Sequence, residues 1–101
     1  MDPFSAIADP TRRRILERLA PGPLASGEIA SGFRVTPSAV SQHLKVLKSA
    51  GLVRVRSEAQ RRIYELDPRG VEALAGWAEG IRRHWAGRLN ALEAELKKDQ
   101  R

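Results

Sequence analysis

The chain has 101 residues, 42% apolar and 30% charged, which suits one small folded domain and is too short for an enzyme with a cleft between two domains. Cysteine is absent, so disulfides, thiol catalysis, iron–sulfur clusters and cysteine zinc sites are excluded. The net charge is +6, and no run of 18 apolar residues is present to span a membrane.

Phe4, Ile7 and Ala8 predict a short first helix. Asp9-Pro10-Thr11 reads as the start of a second, with Asp9 at the N-cap and Pro10 in the first turn. Ile15, Leu16 and Leu19 form its inner stripe, and Pro21-Gly22-Pro23 stops it. A short third helix follows over 26–31, with Ile29 and Ala30 inward and Gly32 at its end. The turn Phe33-Arg34-Val35 leads to Thr36, an N-cap, and Pro37 opens a helix that runs to about Ala50 before Gly51. Val40, Leu44 and Leu47 line the inner side of that helix. Ser38, Ser41, Gln42, Lys45 and Lys48 lie on the other.

The period then changes from helical to alternating. Val53 and Val55 alternate with Arg54 and Arg56, and Arg62-Ile63-Tyr64-Glu65-Leu66 alternates again, which predicts a hairpin over 52–66. Its connection, Ser57-Glu58-Ala59-Gln60, lacks Asn-Gly, so a longer or irregular tip is expected. Asp67-Pro68 caps a last helix over 68–98 with an apolar stripe of Val71, Leu74, Trp77, Ile81, Trp85, Leu89, Leu92 and Leu96. The tail 97–101 is expected to fray. The fold class is therefore mainly α with a small β-hairpin, in one domain over 1–101.

Charge is segregated along the chain. Residues 34–62 hold seven basic side chains and one acid, Glu58, while the remainder holds 11 bases and 11 acids. One basic segment in a balanced chain is the footprint of a polyanion binder. Two short helices, a turn and a helix with a small polar outer face make a helix-turn-helix pattern. Ser38 and Ser41 are small enough for close approach to base edges, Gln42 suits a bidentate pair with adenine, and Lys45 and Lys48 reach phosphates. An ordinary solvated face would carry Glu among its Lys, yet residues 37–50 contain no acid. Arg56 and Arg61 flank the hairpin tip and are the wing residues expected at DNA. Arg62 shares a strand face with Tyr64 and Leu66, which places it nearer the hairpin base.

The runs Asp9–Leu16, Thr36–Leu47, Ala50-Gly51-Leu52-Val53 and Arg61–Leu66, in that order, resemble the ArsR/SmtB family of bacterial winged-helix repressors. The resemblance extends from Phe4 to about Leu96. It implies a homodimer with 36–50 as recognition helix, 52–66 as wing and 68–98 as dimerisation helix. It also implies repression of a nearby promoter through a pseudo-palindromic double-stranded operator. Pro37, Ser38, Ser41 and Gln42 match the family's DNA-contacting positions.

The chain departs from the family's metal sensors. Leu24–Ala30 has no thiolate where they carry a Cys-x-Cys-Asp-type motif, and the last helix holds one histidine, His84, with no His partner three or four residues away. His43, in the recognition helix, reads as a packed or capping side chain. No metal and no cofactor are expected, and an effector of unknown identity is left open. Only an intersubunit site pairing two copies of His84 with Glu79 or Glu95 would alter this. Trp77, Ile81, Trp85, Leu89 and Leu92 are expected at a dimer interface, the alternative being a pocket for an apolar effector.

No triad, phosphate loop or paired-carboxylate motif is present, so an enzyme is not expected. The rival readings are a small dimeric adaptor that uses the Trp/Leu ridge, and a binder of double-stranded RNA. The N-terminal MDPFSAIADP lacks a basic stretch before an apolar one, so it is not expected to be a signal peptide. The expected location is the cytoplasm, with the nucleoid and away from membranes.

Overall fold

Four helices start with the same local device, a capping side chain followed by proline. The computed structural model describes residues 1–99. In it α1 (Pro3–Ala6), α2 (Pro10–Leu19), α4 (Pro37–Ser49) and α5 (Pro68–Asp99) follow Asp2, Asp9, Thr36 and Asp67. Each cap accepts a hydrogen bond from a backbone N–H of the first turn. The pairs are Ser5 to Asp2 at 2.9 Å, Arg12 to Asp9 at 3.1 Å, Ala39 to Thr36 at 3.1 Å and Arg69 to Asp67 at 3.0 Å. Proline at the first helical position loses nothing, because its N–H would have no intrahelical partner there. The short α3 (Ser26–Ala30) has no such cap, and the Glu28 carboxylate instead accepts from Ala25 N–H at 3.1 Å.

The expected inner stripes are the core. Ile15 and Leu19 of α2, Ile29 of α3, and Val40, Leu44 and Leu47 of α4 are buried together with Ala6, Leu52, Val53 and Tyr64. Leu16 and Ala30 are half-buried against them. The first helix is shorter than expected, ending at Ala6 with Ile7 as its C-cap.

Three local features differ from the sequence expectation. Leu24–Ala25 forms a strand, β1, which pairs antiparallel with Tyr64 and Ile63. With β2 (Val53–Glu58) and β3 (Arg61–Leu66) it makes a three-stranded sheet in the order β1-β3-β2. A two-residue strand has too few side chains to show alternation, so the sequence carries no period-2 signal for it. The hairpin tip is tight, not long. Glu58 pairs with Arg61 and leaves a two-residue turn, with Ala59 taking a left-handed φ of 57° where Gly or Asn is usual. The connection from α3 to α4 covers 31–36, one residue more than expected, because α3 ends at Ala30 and not at Ser31. Arg18 of α2 fastens it by donating to Glu28 O at 3.0 Å and lying over the Phe33 ring.

Two glycines join α4 to α5. Gly51 has φ +74°, the left-handed stop after α4, and its carbonyl accepts from Gly70 N–H at 3.0 Å. A Cβ at Gly70 would collide with the Gly51 carbonyl oxygen and lie 2.7 Å from its carbon. Beyond Leu74 the helix leaves the core, and every residue from Trp77 to Asp99 except Ala86 is exposed. Lys97–Asp99, expected to fray, are helical, and the rest of that tail, Gln100 and Arg101, lies outside the described residues.

Candidate nucleic-acid interface

Helix α4 packs on the core along one side only, which fixes the direction of every side chain on the other. Pro37, Ser38, Ser41, Gln42, Lys45 and Lys48 are all exposed, while Val40, Leu44 and Leu47 are buried between them in sequence. The six exposed residues carry two positive charges and no negative one. Among the described residues, neither Lys45 nor Lys48 is ion-paired. His43 turns away from this surface. It is half-buried, and its Nδ1 lies 3.4 Å from Arg12 Nη1. A guanidinium only donates, so Nδ1 is the acceptor in that contact. Arg12 also donates through Nε to Ala6 O at 2.6 Å, tying α1, α2 and α4 together.

The wing stands beside α4 and has two chemically different faces. By register, Arg54, Arg56, Glu58, Arg61 and Glu65 share the outer face. There, Arg54 Nε is 2.9 Å from Glu65, Arg56 is 3.4 Å from Glu65 and 3.7 Å from Glu58, and Arg61 is 2.8 Å from Glu28 of α3. Arg61 flanks the tip opposite Glu58, but Arg56 does not, because the tight turn leaves it two residues further down β2, opposite Ile63. Arg62, expected nearer the hairpin base, pairs with Ser57 one rung from the tip. Both Arg56 and Arg61 are engaged by a carboxylate. The inner face carries Val53, Val55, Ser57, Arg62, Tyr64 and Leu66. Arg62 lies over the Tyr64 ring, its Cζ 5.9 Å from the centroid, and has no acid partner among the described residues. A cleft of about 460 Å³ lies between wing, α3 and α4, lined by Arg62 and Tyr64, by Ser26 and Ala30 of α3, and by Pro37, Val40, Ser41 and Leu44 of α4.

The remaining predicted residues lie on α5. Trp77, Ile81, Trp85, Leu89, Leu92 and Leu96 are 47–60% exposed and form a continuous apolar ridge about 28 Å long at 1.5 Å per residue. Phe4 of α1 extends the ridge, its ring meeting Trp77 edge-on at 5.5 Å. Arg88 lies over Trp85, and Glu79 and Arg82 pair with each other. Among the described residues, no three of His, Asp and Glu converge in a way that would hold a metal ion, and no helix is long and apolar enough to cross a membrane. The role of Glu28 escaped the sequence reading. It caps α3 and holds Arg61 33 positions away, and no local pattern signals such a pair.

Comparison with known proteins agrees with this geometry. A helix-turn-helix domain model matches residues 7–56, from the end of α1 into β2. The chain is similar to the HTH-type transcriptional regulator Rv2034 of Mycobacterium tuberculosis, at 59% identity over 71 residues, covering 70% of this chain and 66% of that one. It is 35% identical over 74 residues to the transcriptional repressor SdpR of Bacillus subtilis, covering 73% of this chain and 82% of that one. A SmtB homologue of Synechocystis, named a transcriptional repressor, is 40% identical over 63 residues. Among solved structures, the ArsR family regulator RHA00566 superposes with a TM-score of 0.72 at 28% identity, covering 83% of this chain and 87% of that one. The homodimeric winged helix-turn-helix domain Mb0332 of Mycobacterium bovis, described as a possible ArsR-family regulator, superposes with a TM-score of 0.67 at 30% identity, covering 83% and 78%.

The chain belongs to the ArsR/SmtB family.

As an ArsR/SmtB protein it is a transcriptional regulator with a DNA-binding helix-turn-helix, not an enzyme. Within that fold α3 and α4 are the two helices of the motif, β2 and β3 are the wing, and α5 is the long C-terminal helix. The chain spans 66% of the length of Rv2034 and 48% of the Synechocystis SmtB homologue.

Proposed function

We propose that this ArsR/SmtB regulator works as a homodimer of one-domain chains that represses transcription by occupying a pseudo-palindromic operator. Helix α4 enters the major groove with Pro37, Ser38, Ser41, Gln42 and Lys45 against the DNA. Gln42 and Ser41 read base edges, and Lys45 contacts a phosphate. The wing runs along the adjoining backbone. Trp77, Ile81, Trp85, Leu89 and Leu92 pair with their copies across the two-fold axis, with Leu96 and Phe4 at the ends of the patch.

The observation that carries the reading is the exposed face of α4, acid-free and bordered by small side chains, beside a basic wing. The names of SdpR and the Synechocystis SmtB homologue support repression, and the homodimeric Mb0332 domain supports the dimer.

Selection from a random duplex library tests it. The recovered sites should contain two inverted half-sites about 34 Å apart, one helical turn, or a multiple of it. With about eight phosphates neutralised, log K should fall against log salt with a slope near −7. A salt-independent response with duplex DNA sinks the reading, and preference for an RNA duplex replaces it with the RNA-binding one. A reporter downstream of the recovered site separates repression from activation.

A further inference from the structure

We infer that Arg62, rather than Arg56 or Arg61, is the wing side chain that takes a phosphate of the DNA backbone. The inference rests on the DNA-binding reading above and assigns a contact within it. The starting point is charge balance on the two faces of the hairpin. The outer face presents Arg54, Arg56 and Arg61 with Glu58, Glu65 and Glu28 among them, three cations to three carboxylates. A phosphate approaching Arg56 meets Glu58 and Glu65 at the same moment, and one approaching Arg61 meets Glu28. The attraction is offset by a nearby like charge whether or not the pair itself is strong.

The inner face has the opposite character. Arg62 is its one charged residue, and no carboxylate reaches it among the described residues. Of the two clefts it borders, the one that runs to Pro37 and Ser41 of the recognition helix, past Ser26 and Ala30 of α3, contains no acid, while the other, at the wing tip, it shares with Arg61 and Glu28. A duplex seated on α4 therefore brings a strand past Arg62 before it reaches Arg56 or Arg61, neither of which lines the acid-free cleft. Tyr64 prepares the contact. Tyr64 is 7% exposed and packed into the core, and the guanidinium lies over its ring. A planar cation stacked on a fixed ring keeps its donors aimed outward and loses less freedom when it binds. The outer lattice has another effect. It ties β2 to β3 and, through Glu28, ties the wing tip to α3, so the hairpin that carries Arg62 is braced.

Fluorescence anisotropy with a labelled random-sequence DNA duplex, titrated between 50 and 200 mM salt, tests the assignment. Removing one phosphate contact lowers the magnitude of the log K–log salt slope by about 0.9. Arg62→Gln should show that loss together with weaker binding, and Arg62→Lys should keep the slope. Arg56→Gln and Arg61→Gln should leave the slope of the wild type. Thermal melting of each variant checks the fold, and Arg62 is exposed, so no loss is expected. A slope that falls in Arg61→Gln or Arg56→Gln overturns the assignment, as does an unchanged slope in Arg62→Gln. A wild type with no salt dependence overturns the DNA reading beneath it, which is a different and recognisable result.

Discussion

At the junction between wing and last helix, the Asp67 carboxylate is buried and accepts from the Arg69 guanidinium at 2.8 Å and the Arg69 N–H at 3.0 Å. Those bonds, the side-chain one first, hold its pKa at about 2, below the ordinary 3.8. A carboxyl depressed on folding adds stability above its unfolded pKa and loses it as pH falls through the folded value. Asp67 therefore contributes fully above about pH 5, and that contribution disappears between about pH 4 and 2. Asp67→Asn should flatten part of the acid limb of a urea-midpoint profile, to which the depressed Asp2, Asp9 and Glu79 also contribute. An unchanged limb would mean that Asp67 is not the depressed group. On the α4 surface, Gln42→Ala should cost about 1–3 kcal/mol of discrimination at one base pair of each half-site, measured by competition with single-base variants of the selected operator. Equal affinity for all variants would show that another side chain reads the bases. The α4 face was legible in the sequence because helical phase alone decides which side chains point outward. The state of the wing arginines was not. Their exposure follows from alternation, but their neutralisation depends on Glu28 and Glu65, brought alongside by tertiary pairing.

Helix starts were legible element by element, because a cap and a proline act within four residues. Strand β1 was not, since its ladder partners Tyr64 and Ile63 lie about forty residues on and only the folded sheet brings them to Leu24 and Ala25. Alternation signals the hairpin, but the residues of its tip do not signal a tight turn. Ala59 adopts a left-handed conformation that costs a non-glycine residue about 1–2 kcal/mol, held by the ladder on either side. Ala59→Gly should raise stability, by less than about 1 kcal/mol once the greater freedom of glycine in the unfolded chain is counted. A lower denaturation midpoint would show that the turn is not strained. Gly70 presents the reverse case. A methyl group there meets backbone, not a movable side chain, so Gly70→Ala should lose about 1–3 kcal/mol by urea unfolding. A neutral result would show that α5 can lift from Gly51 freely.

The whole molecule measures 70 × 27 × 24 Å, with a radius of gyration of 19.2 Å against about 13 Å for a compact domain of 100 residues. The excess is the outer part of α5, whose apolar ridge finds no cover within its own chain. Leu89→Asp should leave a charge buried and unpaired in the proposed dimer and so dissociate it, read by sedimentation at micromolar protein. Operator affinity should fall with it. A mutant that stays dimeric would move the interface off this ridge. Purified protein should hold no stoichiometric zinc, and zinc or chelator should change operator affinity by less than about twofold, roughly 0.4 kcal/mol. Release from DNA by one equivalent of zinc would place a site between two copies of His84.

The Gly51–Gly70 contact has a mechanical meaning at this scale. It joins the end of α4 to the first turn of a rod of 32 residues, about 48 Å long, by direct backbone contact and no flexible linker. The turn that ends α4 and the first turn of α5 therefore share a fixed point. A change of about 5° in the crossing of two such rods displaces their far ends by about 4 Å, more than the 3.4 Å rise of one base pair. In the proposed dimer the angle at which the two rods cross would set which half-site spacings a pair of α4 helices can span. Operator spacing becomes a readout of rod geometry that can be measured without solving the complex.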